Sequence, residues 1–205
     1  MSLALARYLG QEPVTADRLV PRVAREAPEA LICAVRHSGL VLNPHSPRRA
    51  ELDQASECEA VAELCRVLDL FAGSGQLGLE ALSRGARSCM FCDSDRRAQE
   101  VLRKNIAQCG FGANAQLFGG DFRTCLAQAG KGSYDLIFLD PPYGGELINA
   151  ALSDIFGFDI LRSGGIIVCE SAKPDALRDI PAPYRMVHEY RYGNSTVTTV
   201  TREDA

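Results

Sequence analysis

From Arg66 to Cys169 the chain alternates short apolar runs with helical segments, and this alternation restricts its possible folds more than any other feature. The runs are Val67–Leu70, Ser88–Cys92, Ala115–Phe118, Tyr134–Leu139 and Gly165–Cys169. Helical patterns separate them at Gln76–Ser83, Asp95–Cys109, Asp121–Ala129 and Leu147–Ile155. A short run that is apolar at consecutive positions suits a strand buried on both faces. Strands alternating with helices at this spacing call for a mostly parallel sheet, because each parallel connection must cross back over the sheet. The ending differs: Tyr184–Tyr192 and Thr196–Thr201 flank Gly193-Asn194-Ser195, the pattern of an antiparallel hairpin. The expected fold is therefore α/β, a doubly wound, mostly parallel sheet of seven strands that closes on an antiparallel hairpin.

Residues 1–65 read differently and are expected to form a helical N-terminal extension, leaving 66–205 as the main domain. Apolar residues from Thr15 to His37 have helical spacing, and Ser46-Pro47 has the form of an N-cap and first-turn proline. Residues 1–66 carry 8 Arg against 9 acids, which suits a solvated helical face. The functional alternative is a lid or RNA-contacting appendage using Arg22, Arg25, Arg48 and Arg49.

The strand ends carry the chemistry. In an open α/β sheet, ligands bind at the carboxyl edge. Tyr134–Leu139 runs there into Asp140-Pro141-Pro142-Tyr143, where two prolines stop the strand and hold the backbone extended. A planar group bearing an NH2 fits this turn: the Asp140 carboxylate and Pro141 carbonyl accept its hydrogens, Pro142 stiffens the turn and Tyr143 offers a stacking face. After the first strand, Asp69-Leu-Phe71-Ala-Gly73-Ser74-Gly75 leads into Gly78, a loop that lets a cofactor approach the backbone closely. Asp93 ends the second strand, and Asp121 with Phe122 follows the third.

By letter, Gly73, Gly75 and Gly78 also satisfy the dinucleotide pattern, with Asp93 following at a suitable distance. Against a nicotinamide cofactor stands Asp69, a negative charge at the loop mouth that disfavours a pyrophosphate and suits an ammonium. S-adenosylmethionine matches all the parts. Asp69, Phe71 and the Gly73–Gly75 backbone take the amino acid end, Asp93 the ribose hydroxyls, and Asp121 with Phe122 the adenine. A turn or helix-cap role is the plainer reading for each acid alone, with Asp95 a better cap than Asp93.

This ordered set, with Gly78-Leu-Glu-Ala-Leu and the ending Tyr192-Gly-Asn-Ser-Thr-Val197, resembles the RsmD family over residues 66–201. These are bacterial S-adenosylmethionine-dependent enzymes that methylate N2 of one guanine in 16S ribosomal RNA. The resemblance implies a Rossmann-like methyltransferase fold and a substrate that is 16S ribosomal RNA or the assembling small ribosomal subunit. Towards the N-terminus, only Pro13-Val-Thr-Ala-Asp17-Arg18 echoes the family's wording. Asp-Pro-Pro-Tyr does not distinguish guanine N2 from adenine N6, cytosine N4 or a glutamine side chain. A non-catalytic cofactor-binding subunit and a nicotinamide oxidoreductase are the readings from other classes.

Composition bounds the partners. The net charge of −4 excludes a general affinity for nucleic acid but permits a local patch, since 19 of the 22 cations are arginine. No apolar run is long enough for a membrane span, and a cytoplasmic monomer is expected. Eight cysteines are present, but Cys89-x-x-Cys92 stands without a second pair or histidine companions. No metal site is expected; buried free thiols fit better.

Overall fold

A computed structural model describes residues 65–83, 85–142, 146–172, 177, 180–192 and 195–203. The expected N-terminal extension, including Arg22, Arg25, Arg48 and Arg49, lies outside these residues, as does Tyr143. The described elements are β1 (Arg66–Asp69), α1 (Gln76–Ser83), β2 (Ser88–Asp93), α2 (Arg96–Cys109), β3 (Ala115–Gly119), α3 (Phe122–Gln128), β4 (Tyr134–Leu139), α4 (Leu147–Phe158), β5 (Leu161–Ala172), β6 (Tyr184–Tyr192) and β7 (Ser195–Arg202). They form a seven-stranded sheet in the order β3-β2-β1-β4-β5-β7-β6. Strands β1 to β5 pair in parallel, and β7 runs antiparallel to both β5 and β6. Chain order reverses between β1 and β4, and their carboxyl ends open on the crevice where such sheets bind ligands.

Alternate residues of each central strand feed two cores. Val67, Phe91, Phe138 and Val168 point to the face covered by Leu79 of α1 and Leu102 of α2. Leu68, Ile137, Leu139 and Ile167 point to the opposite face, beneath Leu126 of α3 and Leu152 and Ile155 of α4. Burial on both faces explains why these strands read as unbroken apolar runs. Local signals set the helix ends. Asp95 caps α2 by accepting from the Arg97 N–H, and Gly110 closes that helix in the left-handed conformation (φ 76°).

Two elements run well past their expected ends. Helix α4 runs past Gly157 and ends at Asp159, left-handed at φ 51°. There Asp159 takes two hydrogen bonds from Arg202 (2.7 and 3.0 Å), one from the Tyr184 hydroxyl (2.8 Å), and an ion pair with Lys131 (2.9 Å). These contacts join the end of α4 to the hairpin and make a non-glycine residue tenable in that conformation. Strand β5 is longer than Gly165–Cys169 at both ends. It begins at Leu161, paired to Tyr134, and shifts register through Gly164 (φ 72°) and Gly165, where an added Cβ would lie 2.7 Å from the Arg162 carbonyl. At its far end, pairing with β7 extends it to Ala172. No helix among the described residues is long and apolar enough to cross a membrane.

Candidate active site

The carboxyl ends of β1, β2 and β4 surround a cleft of about 730 Å³. Asp69, Phe71, Gly73, Ser74, Asp93, Asp121, Phe122, Asp140, Pro141 and Pro142 all line it. The fold thus gathers in one place acids separated by as many as 71 residues of sequence. Gly75 does not line the cleft. It is left-handed at φ 83°, and an added Cβ would overlap Leu102 Cδ1, so its glycine serves the fit of the loop against α2. Gly78 is similar, since a Cβ there would run into the Phe91 ring. Gly73 is the open position: at φ 55°, a Cβ would meet nothing within 4 Å. The alternating roles of these glycines follow from the turn, in which Gly75 N–H donates to the Ala72 carbonyl at 2.7 Å.

Asp69 is 2% exposed, so it is not the free charge at the loop mouth that the sequence suggests. As the last residue of β1 it lies under the glycine loop, and its Oδ2 accepts the Gly78 N–H at 2.9 Å. Burial pushes its pKa up to about 7; the Gly78 N–H opposes this, and the nearby charges of Asp140 and Asp93 reinforce it. Asp93 ties β2 to the loop: Oδ2 accepts the Gly73 N–H at 2.7 Å, and Oδ1 accepts the Asp95 N–H at 2.8 Å. Each carboxylate oxygen has room for a second donor. Asp121 caps α3 through a hydrogen bond from the Arg123 N–H at 2.9 Å and also lines the cleft, so the cap and site roles are compatible.

Phe71 and Phe122 form one wall, with ring centroids 5.5 Å apart and planes inclined at 51°. The Arg123 guanidinium lies 5.0 Å from the Phe122 ring centroid and pairs with Asp154 at 3.5 Å. Ser94, Asp95, Arg123 and Leu147 also line the cleft and were missed in the sequence. Ser94 and Asp95 directly follow Asp93 at a strand end, so the carboxyl-edge rule applied one residue further would have found them. Arg123 and Leu147 sit in the first turns of helices and carry no comparable signal.

A family model described as "Conserved hypothetical protein 95" matches residues 54–201. The chain is 37% identical over 130 residues to the "Putative rRNA methyltransferase YlbH" of Bacillus subtilis, spanning 62% of this chain and 71% of that protein. It is 33% identical over 136 residues to the Ribosomal RNA small subunit methyltransferase D of Escherichia coli K12, spanning 66% and 68%. A conserved hypothetical protein of Streptococcus pyogenes superposes with a TM-score of 0.62 at 34% identity, covering 68% of this chain and 86% of that one. The family match spans the sheet that forms the cleft, and the chain belongs to the Conserved hypothetical protein 95 family, the family of the small-subunit ribosomal RNA methyltransferases D, and is a methyltransferase.

Proposed function

We propose that this chain transfers the methyl group of S-adenosylmethionine to an exocyclic amine, N2 of a guanine in 16S ribosomal RNA. The observation that carries the cofactor assignment is the charge of the cleft. Apart from the buried Asp69, the described lining residues Asp93, Asp95, Asp121 and Asp140 oppose a single cation, Arg123. Such a lining favours a ligand with a sulfonium and an ammonium and repels a pyrophosphate. The residues fit each part of that ligand. Open space at Gly73 admits it to the loop backbone, the free lone pairs of Asp93 suit a pair of hydroxyls, and Phe122 presents an aromatic surface beside Asp121.

S-adenosylmethionine supplies an electrophilic methyl carbon, and displacement at that carbon is in line, so positioning the nucleophile provides much of the rate. The amine lone pair is delocalised into the base. Asp140 and the Pro141 carbonyl accept its hydrogens, favour a pyramidal nitrogen and stabilise the positive charge that develops there. Pro141 is buried, which holds its carbonyl in place, while the exposed Pro142 leads into Tyr143, assigned to stack on the target base. The base must leave its helix or loop to reach the turn.

The ribosomal substrate is supported by the relatives' names and by the resemblance of the turn and hairpin sequences. Labelled-methyl incorporation into naked 16S RNA and into unmodified small-subunit particles, followed by nucleoside mass analysis, tests it. The expected product is N2-methylguanosine, with particles the better substrate because an acidic chain gains less from phosphate contacts. Label found only in adenosine, cytidine or protein would overturn the substrate assignment.

A further inference from the structure

One polar side chain in the cleft has no task in the transfer described above. Gln76 opens α1 directly after the glycine loop, is 6% exposed, and lines the cleft. A buried amide ordinarily finds hydrogen-bond partners, yet that of Gln76 bonds to no described residue. Neither of its amide atoms is sealed off: among the described residues, the sealed and unpartnered side-chain atom is Asp154 Oδ2. The amide therefore lies at the small opening the residue keeps, and that opening is the cleft. The backbone around it is arranged to donate. The carbonyls of Ala72, Ser74 and Gly75 are engaged inside the protein, accepting from the Gly75 N–H (2.7 Å), Asn105 Nδ2 (2.9 Å) and the Leu79 N–H (2.8 Å). The N–H groups of Gln76 and Leu77 begin the helix and donate to no described residue.

We infer that Gln76 recognises the carboxylate of the cofactor's amino acid group and makes the site selective for ligands that carry it. The inference rests on the cofactor reading above, which runs the ligand across the strand ends. It passes from Asp121 and Phe122 after β3, by Asp93 at the end of β2, to the loop after β1. That places the amino acid group over Gly73–Gln76, and this group carries a carboxylate as well as an ammonium. Negative side chains flank it: Asp93 ends β2 and Asp140 follows β4, the strands on either side of β1. A carboxylate there needs donors to offset their repulsion. The lining cation Arg123 is not placed to help. It follows β3, two strand spacings or about 10 Å from β1, where it lies against the Phe122 ring and pairs with Asp154. Neutral donors remain, and Gln76 Nε2 supplies one beside the N–H groups that open α1. With no described partner to fix it, the amide can turn its NH2 to the ligand.

Decarboxylated S-adenosylmethionine keeps the adenosine, sulfonium and ammonium and lacks only the carboxylate, so it isolates the contact. The full chain and its Gln76→Leu and Gln76→Glu variants are titrated calorimetrically with each ligand, and melting without ligand checks that each variant folds. The parent is expected to bind S-adenosylmethionine about tenfold or more tighter than the decarboxylated ligand, the size of one hydrogen bond to a charged group. Gln76→Leu, similar in size, loses that preference: S-adenosylmethionine binding weakens about tenfold while the decarboxylated ligand stays within about twofold. Gln76→Glu keeps the shape, adds a negative charge and prefers the decarboxylated ligand. A parent that binds both ligands alike would overturn the assignment. So would a Gln76→Leu variant that weakens both equally, which is the mark of a packing role, or one that keeps the parent's preference. If Gln76→Leu does not fold, the affinity ratio in Gln76→Glu decides. A parent that binds neither ligand would instead refute the cofactor reading itself, and the Gln76 assignment with it.

Discussion

Asp140 and Asp69 stand at the carboxyl ends of adjacent strands, but different tests apply to them. In the proposed mechanism Asp140 acts only on the amine, so Asp140→Asn is expected to lower kcat by about 10²-fold or more while S-adenosylmethionine affinity changes little. Unchanged turnover in that variant would remove Asp140 from the mechanism. Asp69 has a titration to follow. Its folded pKa is raised from 3.8 to about 7, so between those values the folded state binds more protons than the unfolded state and stability falls as pH rises. Asp69→Asn keeps an acceptor for the Gly78 N–H and removes the titration. The stability difference between variant and parent should therefore grow in favour of the variant from pH 4 to 7, as read by denaturant unfolding; a difference independent of pH would refute the buried acid. The glycines divide similarly. Gly75→Ala must move Leu102 and strain a left-handed turn, costing about 1–3 kcal/mol. Gly73→Ala meets no neighbour, so melting should show only the milder strain while cofactor titration shows the larger loss.

At the scale of elements, the Asp159 cluster joins the end of α4 to the hairpin. Arg202 grips that carboxylate with two hydrogen bonds, and with Lys131 and Tyr184 it holds the carboxyl well below the usual range. Asp159→Asn should destabilise the chain by about 1–2 kcal/mol at neutral pH. Because the depressed pKa contributes stability that is lost as pH falls below the unfolded value of 3.8, the penalty should shrink in acid unfolding titrations. A penalty that persists there would assign the effect to packing. Nothing in the sequence near Asp159 announced this cluster, since its partners lie at positions 131, 184 and 202 and meet only when the sheet forms. Strand β5 was underestimated for a related reason: its ends are set by pairing with Tyr134 and with β7, not by its own residues.

For the whole molecule, the acid-lined cleft predicts which ligands stabilise it. S-adenosylmethionine should raise the melting temperature, by an amount corresponding to about 2.7 kcal/mol at a hundredfold excess over Kd, and NAD should not. The reverse result would revive the dinucleotide reading of Gly73, Gly75 and Gly78. The sequence alone determined which segments are strands, which are helices, and which acids end the strands, because burial on both faces and helix capping leave their marks within a few neighbouring residues. It also carried the motif set by which the family can be recognised. Only the tertiary structure decided that Asp69 is buried, that Gly75 faces Leu102 while Gly73 stays open, and that Asp159 meets Arg202, Tyr184 and Lys131. Those outcomes depend on contacts between residues distant in the chain, and a sequence pattern records the conformation a residue favours but not the neighbour it will find.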